Sequence, residues 1–123
     1  MAPNDKLFRF EDLEVWRRAS DVGFRLGGAA DELEQQRRYR FAEQLRAAGL
    51  SISNNIAEGS GSNSDVDFCK FLNYSRRSAF ECANMLLMFE RQNLLPVTEV
   101  RPLLVELNEI CRMIIGLSQS LTK

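Results

Sequence analysis

The chain has 123 residues, with 16 basic and 17 acidic side chains and a formal net charge of −1. This length suits one domain, and 45% hydrophobic with 27% charged residues is typical of a folded globular protein. Histidine is absent, which excludes Ser-His-Asp and Cys-His nucleophiles, histidine-containing zinc sites and Glu-x-x-His di-iron sites, so we expect no catalytic residue, metal or cofactor.

The first predicted helix extends from about residue 10 to residue 30 and follows residues 1–9, which we expect to be a flexible segment. One face of this helix is predicted to pack into the core, because its residues recur at three- and four-residue steps. They are Leu13, Trp16, Ser20, Gly23 or Phe24, and Gly27. Adjacent glycines at positions 27 and 28 lower helix stability, so this end is expected to fray or bend. Residues 31–34 are then expected to form a polar connection.

The second predicted helix covers residues 35–58, with a seam of apolar and small side chains from Phe41 through Ile52 to Gly59. We expect it to stop at Gly59-Ser60-Gly61, where glycine would supply the left-handed turn that closes a helix. A Gly-x-Gly segment can also bind phosphate. Here a helix and not a strand precedes it, which favours a plain turn.

Two further helices are predicted over residues 65–93 and 99–121. Ser64 and Thr98 are suitable N-cap residues for them, because their hydroxyl oxygens accept from free backbone amides. Both helices carry an unbroken seam, formed by Phe68, Leu72, Ser75, Ala79, Cys82, Leu86 and Phe89 in the third and by Val100, Leu103, Leu107, Ile110, Ile114, Leu117 and Leu121 in the fourth. Long helices with short connections pack antiparallel, so the sequence predicts an all-α, up-down-up-down four-helix bundle.

A second apolar stripe accompanies the core seam on several helices, although a monomeric bundle needs only one stripe per helix. Scattered apolar residues are common on protein surfaces, but contiguous stripes on three helices favour burial between subunits. We therefore expect a homo-oligomer whose interface contains Val15, Val22, Leu26, Leu50, Phe80 and Leu87.

Basic side chains concentrate in the middle of the chain, where residues 37–78 contain seven basic and four acidic residues. A charged run is usually a solvated helix face, and contact with nucleic acid is the alternative. Any nucleic-acid contact is expected to involve phosphates, to be independent of base sequence and to weaken steeply with salt. The side chains expected to make it, because their helix positions point away from the core, are Arg40, Arg46, Lys70 and Arg77.

The three cysteines, Cys69, Cys82 and Cys111, form no Cys-x-x-Cys pair and lie among apolar residues. Buried or half-buried free thiols are therefore favoured over metal ligands or disulfides. The first residues lack the apolar core of a signal peptide, and no apolar run approaches the roughly 18 residues of a membrane span. We expect a cytoplasmic protein that does not contact a membrane.

Residues 44–59, QLRAAGLSISNNIAEG, resemble the signature of a bacterial family of four-helix-bundle proteins. The family was first noted as products of intervening sequences in large-subunit ribosomal RNA genes, and its members are also termed S23-like ribosomal proteins. Residues 10–16, FEDLEVW, resemble the start of the family pattern, and Phe71-Leu72 with Ser78 and Glu81 fits its third helix. The resemblance extends over roughly residues 8–121.

The resemblance implies a relationship to the accessory variability determinant of diversity-generating retroelements and assembly as a ring of five bundles. That accessory protein binds nucleic acid and a reverse transcriptase, so RNA or DNA and a reverse transcriptase are the partners implied besides further copies of the chain. The resemblance implies no catalytic activity. We interpret Asn55 and Glu58, polar residues near a helix end, as bonding neighbouring helices rather than a ligand.

Two functions from different classes follow. The leading one is a non-enzymatic, homo-oligomeric, pentameric bundle that binds nucleic acid or assists a reverse transcriptase. The alternative is an oligomeric scaffold for another protein, with no nucleic-acid role. An enzyme ranks third, because neither histidine nor a convergent carboxylate pair is present in the pattern.

Overall fold

Four long helices and one short 3-10 helix make up the computed structural model, which describes residues 5–122. No strand occurs within these residues, so the predicted all-α, four-helix architecture is confirmed. The 3-10 helix is Arg9–Asp12, and the long helices are α1 at Glu14–Gln35, α2 at Tyr39–Ser60, α3 at Asp65–Arg91 and α4 at Val97–Leu121.

The helices form a closed bundle in which each one packs on two antiparallel neighbours. Contacts join α1 to α2, α2 to α3, α3 to α4, and α4 back to α1. The start of α2 lies beside the end of α3, where the rings of Phe41 and Phe89 have centroids 5.0 Å apart. At the other end of the same pair, Gly59 contacts Phe71. The bundle thus has four outer faces, and the α1/α2 face lies opposite the α3/α4 face.

The boundaries of α1 differ from the prediction at both ends. Residues 9–12 form a separate 3-10 helix, and residues 31–34 are helical instead of forming a connection. The helix continues because Leu33 and the alanines before it extend the buried face. It ends where Arg37 adopts φ 63°, with the Arg37 amide donating to the Glu34 carbonyl and the Arg38 amide donating to the Leu33 carbonyl, both at 2.8 Å. This is the Schellman arrangement that usually uses glycine.

Gly59 does not supply the left-handed turn expected of it. It lies inside α2, and no glycine within residues 5–122 has a positive φ. A Cβ at Gly59 would lie 2.6 Å from Cβ of Phe71, so a side chain is sterically excluded there. The glycine therefore permits the close approach of α2 and α3.

The predicted seams of α3 and α4 are confirmed, since every α3 seam residue and all but the last two of α4 are buried. The predicted core face of α1 is wrong. Its core side chains are Val15, Ala19, Val22, Leu26, Ala29, Ala30 and Leu33. Trp16 is only partly buried, and Phe24 is 87% exposed.

The segment before α1 packs against the bundle where the structure describes it. The carboxylate of Glu11 accepts from the amides of Leu7 at 2.9 Å and Phe8 at 2.8 Å. The guanidinium of Arg9 lies 5.1 Å from the ring centroid of Phe68 and donates to the Ser60 carbonyl. Residues 1–4 of the segment expected to be flexible lie outside the described residues.

Candidate interaction surfaces

Large apolar side chains are exposed on the α3/α4 face. Phe80 is 56% exposed and Leu87 is 39% exposed, and both occupy the side of α3 that faces α4. Phe80, Ala83 and Leu104 line a cavity of about 120 Å³ between the two helices. The predicted interface residues Phe80 and Leu87 are therefore available on the surface of the subunit.

The opposite α1/α2 face also exposes apolar side chains. Leu50 is 59% exposed and lines a groove of about 290 Å³ together with Phe24 and Gly27. The sequence pattern predicted Leu50 at the surface, and it predicted Gly23 or Phe24 as one of the core positions of the first helix. Beside Phe24, Gly23 approaches Gly49 so closely that a Cβ on Gly23 would lie 3.2 Å from the Gly49 carbonyl oxygen. Because α1 and α2 are so close at these two glycines, the larger side chain of Phe24 lies outside the contact between the helices.

Three predicted interface residues lie elsewhere. Val15 is 5% exposed, and Val22 and Leu26 are fully buried in the core of the subunit. Placing them at an interface between subunits is therefore wrong. The physical reason is that α1 packs through a stripe of small and medium side chains, whereas the sequence pattern predicts the stripe containing Trp16 as the core face.

The α2/α3 face contains an open polar groove of about 510 Å³. Its lining side chains are Ser51, Asn55, Tyr74, Arg77, Ser78 and Glu81. The rings of Tyr74 and Phe71 meet edge to face, with centroids 5.7 Å apart. Within residues 5–122 neither Arg77 nor Glu81 forms an ion pair, so a cation and a carboxylate both face solvent here.

A chain of hydrogen bonds fixes the groove floor. The Asn55 amide nitrogen donates to the Ser51 carbonyl at 2.8 Å and to the Ser51 hydroxyl at 3.0 Å. The Ser51 and Ser78 hydroxyls are 2.9 Å apart, and the Ser78 hydroxyl donates to the Tyr74 carbonyl. Asn55 thus reaches the neighbouring helix only through Ser51, and its amide oxygen is left to accept from a group in the groove.

Three of the four predicted phosphate-contacting residues share the α2/α3 face. Arg77 lines the groove, Lys70 lies two turns earlier on the same side of α3, and Arg40 lies three turns before Ser51 on α2. Arg40 and Lys70 are near opposite ends of the bundle, about 28 Å apart at 1.5 Å per residue. The structure therefore places them in a line and not in one cluster.

Arg46 is on a different face. Its guanidinium donates to the carboxylates of Asp31 and Glu34 across the α1/α2 contact. These two hydrogen bonds raise the pKa of Arg46. The charge is already compensated within the subunit, which leaves Arg46 less suited to a phosphate than the other three.

The α1/α4 face contains an ion pair and two neighbouring glutamates. Arg18 donates to both carboxylate oxygens of Glu106, at 2.9 Å and 2.6 Å, and this hydrogen bonding lowers the pKa of Glu106. Nearby, the hydrogen bond between the carboxyl groups of Glu99 and Glu32, together with partial burial, raises the pKa of Glu99 to about 7. Arg25 lines the same groove as these two glutamates.

The thiols are placed as predicted, with Cys82 and Cys111 buried and Cys69 half-buried, all three free. Burial raises the pKa of Cys82 to about 12, which suppresses the reactive thiolate. Within the described chain, no three histidine, cysteine, aspartate or glutamate side chains come together in a way that could hold a metal ion. No helix in that range has the length and apolarity needed to cross a lipid bilayer.

Comparison with known proteins places this fold in a family. The family model described as 23S rRNA-intervening sequence protein matches residues 11–116. A crystal structure of a protein of unknown function from the S23 ribosomal protein family of Bacteroides thetaiotaomicron superposes with a TM-score of 0.81 at 22% identity, covering 85% of this chain and 97% of that one. No curated protein matches the chain at a significant level. Since the matched segment includes the Asn55–Gly59 run, the whole of α1, α2 and α3 and most of α4, the chain belongs to the 23S rRNA-intervening sequence protein family.

Proposed function

We propose that this protein is a non-enzymatic homo-oligomer, a ring of five bundles, that binds the phosphate backbone of RNA or DNA and assists a nucleic-acid-handling enzyme such as a reverse transcriptase. The supporting observation is the distribution of side chains over the four faces. Apolar residues are exposed on two opposite faces, and cations that form no ion pair within residues 5–122 lie along a third.

Opposite apolar faces favour a head-to-tail assembly. When the α1/α2 face of one copy packs on the α3/α4 face of the next, every copy uses both faces, and the chain of contacts closes if the rotation allows it. Phe80 and Leu87 on one face and Leu50 with Phe24 on the other would then lose contact with water. Burying such side chains contributes roughly 25 cal/mol for each Å² removed from water.

Such a ring leaves the α2/α3 faces free. Arg40, Lys70 and Arg77 would be repeated around the ring axis, so several modest patches could act on one polyanion. No groove-reading motif accompanies them, so the contacts are expected at phosphates and carry no base specificity. The formal charge of −1 on each subunit keeps the affinity of a single patch low.

The oligomeric state is tested by light scattering on a gel-filtration peak. We expect a mass of about five times the 14.1 kDa of the chain. The double variant Phe80→Glu/Leu87→Glu should give subunits of single-chain mass with unchanged far-UV helicity, because both side chains are exposed in the subunit. Val105→Glu is the control for adding a charge to an exposed apolar position, since Val105 of α4 is 70% exposed.

A wild-type mass near 14 kDa would contradict the assembly. If the double variant unfolds while Val105→Glu does not, Phe80 and Leu87 are instead required by the subunit core.

Nucleic-acid binding is tested by fluorescence anisotropy with labelled single- and double-stranded oligonucleotides. We expect weak binding without sequence preference, with log affinity falling linearly as log salt rises. Reversing Arg40, Lys70 and Arg77 to glutamate should abolish it, whereas Arg46→Glu should have a smaller effect because Arg46 is already paired. Arg112→Glu, on the exposed side of α4, is the control.

A protein scaffold is the second candidate, and one observation favours it. Glu81 lines the α2/α3 groove with Arg77 and forms no ion pair among the described residues. A carboxylate repels phosphate while it attracts a basic side chain of a protein. Absence of oligonucleotide binding even at about 50 mM salt, where counterion release favours binding most, would decide for the scaffold.

A further inference from the structure

The ring of Phe24 projects from α1 into solvent. Among the described residues no large apolar side chain is more exposed, since 87% of its surface is open to water. Phe24 lines the groove between α1 and α2 together with Leu50, Gly23 and Gly27. Single exposed apolar side chains are common on protein surfaces, so the exposure alone indicates no partner. The shape of the opposite face supplies the further argument.

The cavity between α3 and α4 has the size of an aromatic ring. Its volume is about 120 Å³, and its lining includes the buried side chains of Ala79, Leu107 and Cys111 and the exposed ring of Phe80. An apolar cavity of about 150 Å³ in a protein accommodates a benzene molecule. A phenyl ring that enters from outside would therefore fill most of this cavity.

Phe24 and the cavity residue Phe80 lie at nearly the same height along the bundle. A Cβ on the residue before Phe24 would lie 3.2 Å from the Gly49 carbonyl oxygen, and the Ser75 hydroxyl donates to the Ile52 carbonyl at 2.7 Å. Since α1 and α3 are both antiparallel to α2, counting 1.5 Å per residue from these contacts leaves about 2 Å between the two heights. Two copies in the same orientation can therefore meet without a shift along the bundle, as a closed ring requires.

The end of α1 presents excess negative charge on the α1/α2 face. Asp31 and Glu34 both pair with one guanidinium, that of Arg46, which lines the same groove as the exposed ring. Just after α1, the Gln36 side-chain amide donates to the Leu94 carbonyl at 2.8 Å, which places this end of α1 beside the connection from α3 to α4.

The α3/α4 face presents the complementary excess of positive charge. Glu90 pairs with Arg101 at a long 3.4 Å, and Arg76 pairs with no carboxylate in the described part of the chain. Arg101 lies near the start of α4, at the same end of the bundle as Asp31 and Glu34. When the two faces meet in the same orientation, these carboxylates approach a guanidinium, which favours that orientation over the reversed one.

We propose that a second copy of this chain, in the same orientation, inserts its Phe24 ring into the cavity between α3 and α4, while Phe80 enters the α1/α2 groove of that copy beside Gly23 and Gly27. This inference rests on the proposed homo-oligomer. It adds the contact that joins neighbouring subunits and the polarity of the assembly.

The contact is tested by sedimentation equilibrium. Phe24→Ala should raise the concentration at which the oligomer dissociates by roughly tenfold or more, because a buried aromatic anchor is the kind of side chain on which interfaces depend most. The ring is exposed in the subunit, so far-UV circular dichroism should not change. Val66→Ala is the matched control, because Val66 is 82% exposed and lies about 21 Å along α3 from Phe80 at 1.5 Å per residue.

A mixing experiment tests the head-to-tail geometry. Phe24→Glu removes the inserting ring and keeps the cavity, whereas Ala83→Trp fills the cavity and keeps the ring, so each variant alone should have single-chain mass. Their mixture should form a complex of twice the 14.1 kDa of the chain and nothing larger, because only one intact contact is available. Asn108→Trp, at the exposed rim of the cavity, replaces Ala83→Trp if that variant does not fold.

The outcomes separate this inference from the assembly on which it rests. A wild-type protein that is monomeric overturns both. An oligomer that Phe24→Ala leaves unchanged overturns this inference alone, as does a mixture without a two-chain complex over the accessible concentration range. Dissociation by Phe24→Ala and not by Val66→Ala, together with the two-chain complex, supports the contact and its polarity.

Discussion

Gly59 and Gly28 both lie within helices, and the space around them differs completely. A Cβ on Gly59 would lie 2.6 Å from the Phe71 Cβ and 3.0 Å from the Phe68 ring, whereas a Cβ on Gly28 would meet nothing within 4 Å. Gly59 is therefore a packing requirement between α2 and α3. Gly28 only lowers the helix propensity of α1.

These surroundings predict opposite effects of the same substitution. Gly59→Ala should destabilise the protein by about 1–3 kcal/mol, because the aromatic neighbours must shift to admit a methyl group. Gly28→Ala should stabilise it by about 0.5–1 kcal/mol, because alanine restricts the unfolded chain and favours helix. Urea unfolding followed by circular dichroism measures both. A neutral Gly59→Ala would show that the α2/α3 contact can relax.

At the scale of helices, the sequence predicted the faces of α3 and α4 well and the face of α1 poorly. The α3 seam, from Phe68 to Phe89, alternates at three and four residues with large side chains, so one face clearly dominates. On α1 the core stripe consists of alanine, valine and leucine, while the competing stripe contains Trp16 and Phe24. Because the competing stripe contains these large aromatic side chains, the sequence predicted the wrong face of α1 as the core face.

The helix ends show a second limit of sequence-based prediction. Arg37 and Asn93 terminate α1 and α3 with φ values of 63° and 60°, although glycine would be the usual signal. Because arginine rarely adopts this conformation, the end of α1 could not be recognised from the sequence. The groove residues Ser51 and Ser78 could not be recognised from the sequence either, because only the packing of two helices brings their hydroxyls together.

The contact between α1 and α4 makes stability depend on pH. The pKa of Glu99 is raised to about 7 by its hydrogen bond with Glu32 and by burial, so the folded state holds this proton more tightly than the unfolded state. The resulting stabilisation is complete below 4.5, the ordinary pKa of a glutamate in the unfolded chain, and is lost as pH rises through 7.

We therefore expect the melting temperature to fall between pH 5 and pH 8. Glu99→Gln, which cannot ionise, should remove most of this dependence and stabilise the protein at pH 8 by about 1 kcal/mol, allowing for solvent screening. Thermal unfolding at both pH values is the measurement, with Glu109→Gln on the same helix as the control. An equal pH dependence in wild type and Glu99→Gln would assign the effect to other groups.

At the scale of the whole molecule, the four faces of the bundle differ in the side chains that they expose. The α1/α2 and α3/α4 faces expose apolar side chains, and the α1/α4 face is occupied by its own Arg18–Glu106 pair. The α2/α3 face exposes Arg40, Lys70 and Arg77, which form no ion pair in the described part of the chain. The sequence predicted Leu50, Phe80 and Leu87 as exposed apolar residues. It could not assign them to opposite faces, because that requires the packing order of the helices.

The closed order of the helices also determines how the chain can fold. Every packed pair except α1 and α4 consists of consecutive helices, so most native contacts close short loops, and such chains fold in microseconds to milliseconds.

Docking of α4 on α1 is the one long-range closure and should come after the transition state. Arg18→Met, which breaks the pair with Glu106, should then speed unfolding while leaving the folding rate nearly unchanged. Stopped-flow kinetics on the Phe80→Glu/Leu87→Glu subunit would measure both rates, and a slowed folding limb would place α4 in the folding nucleus instead.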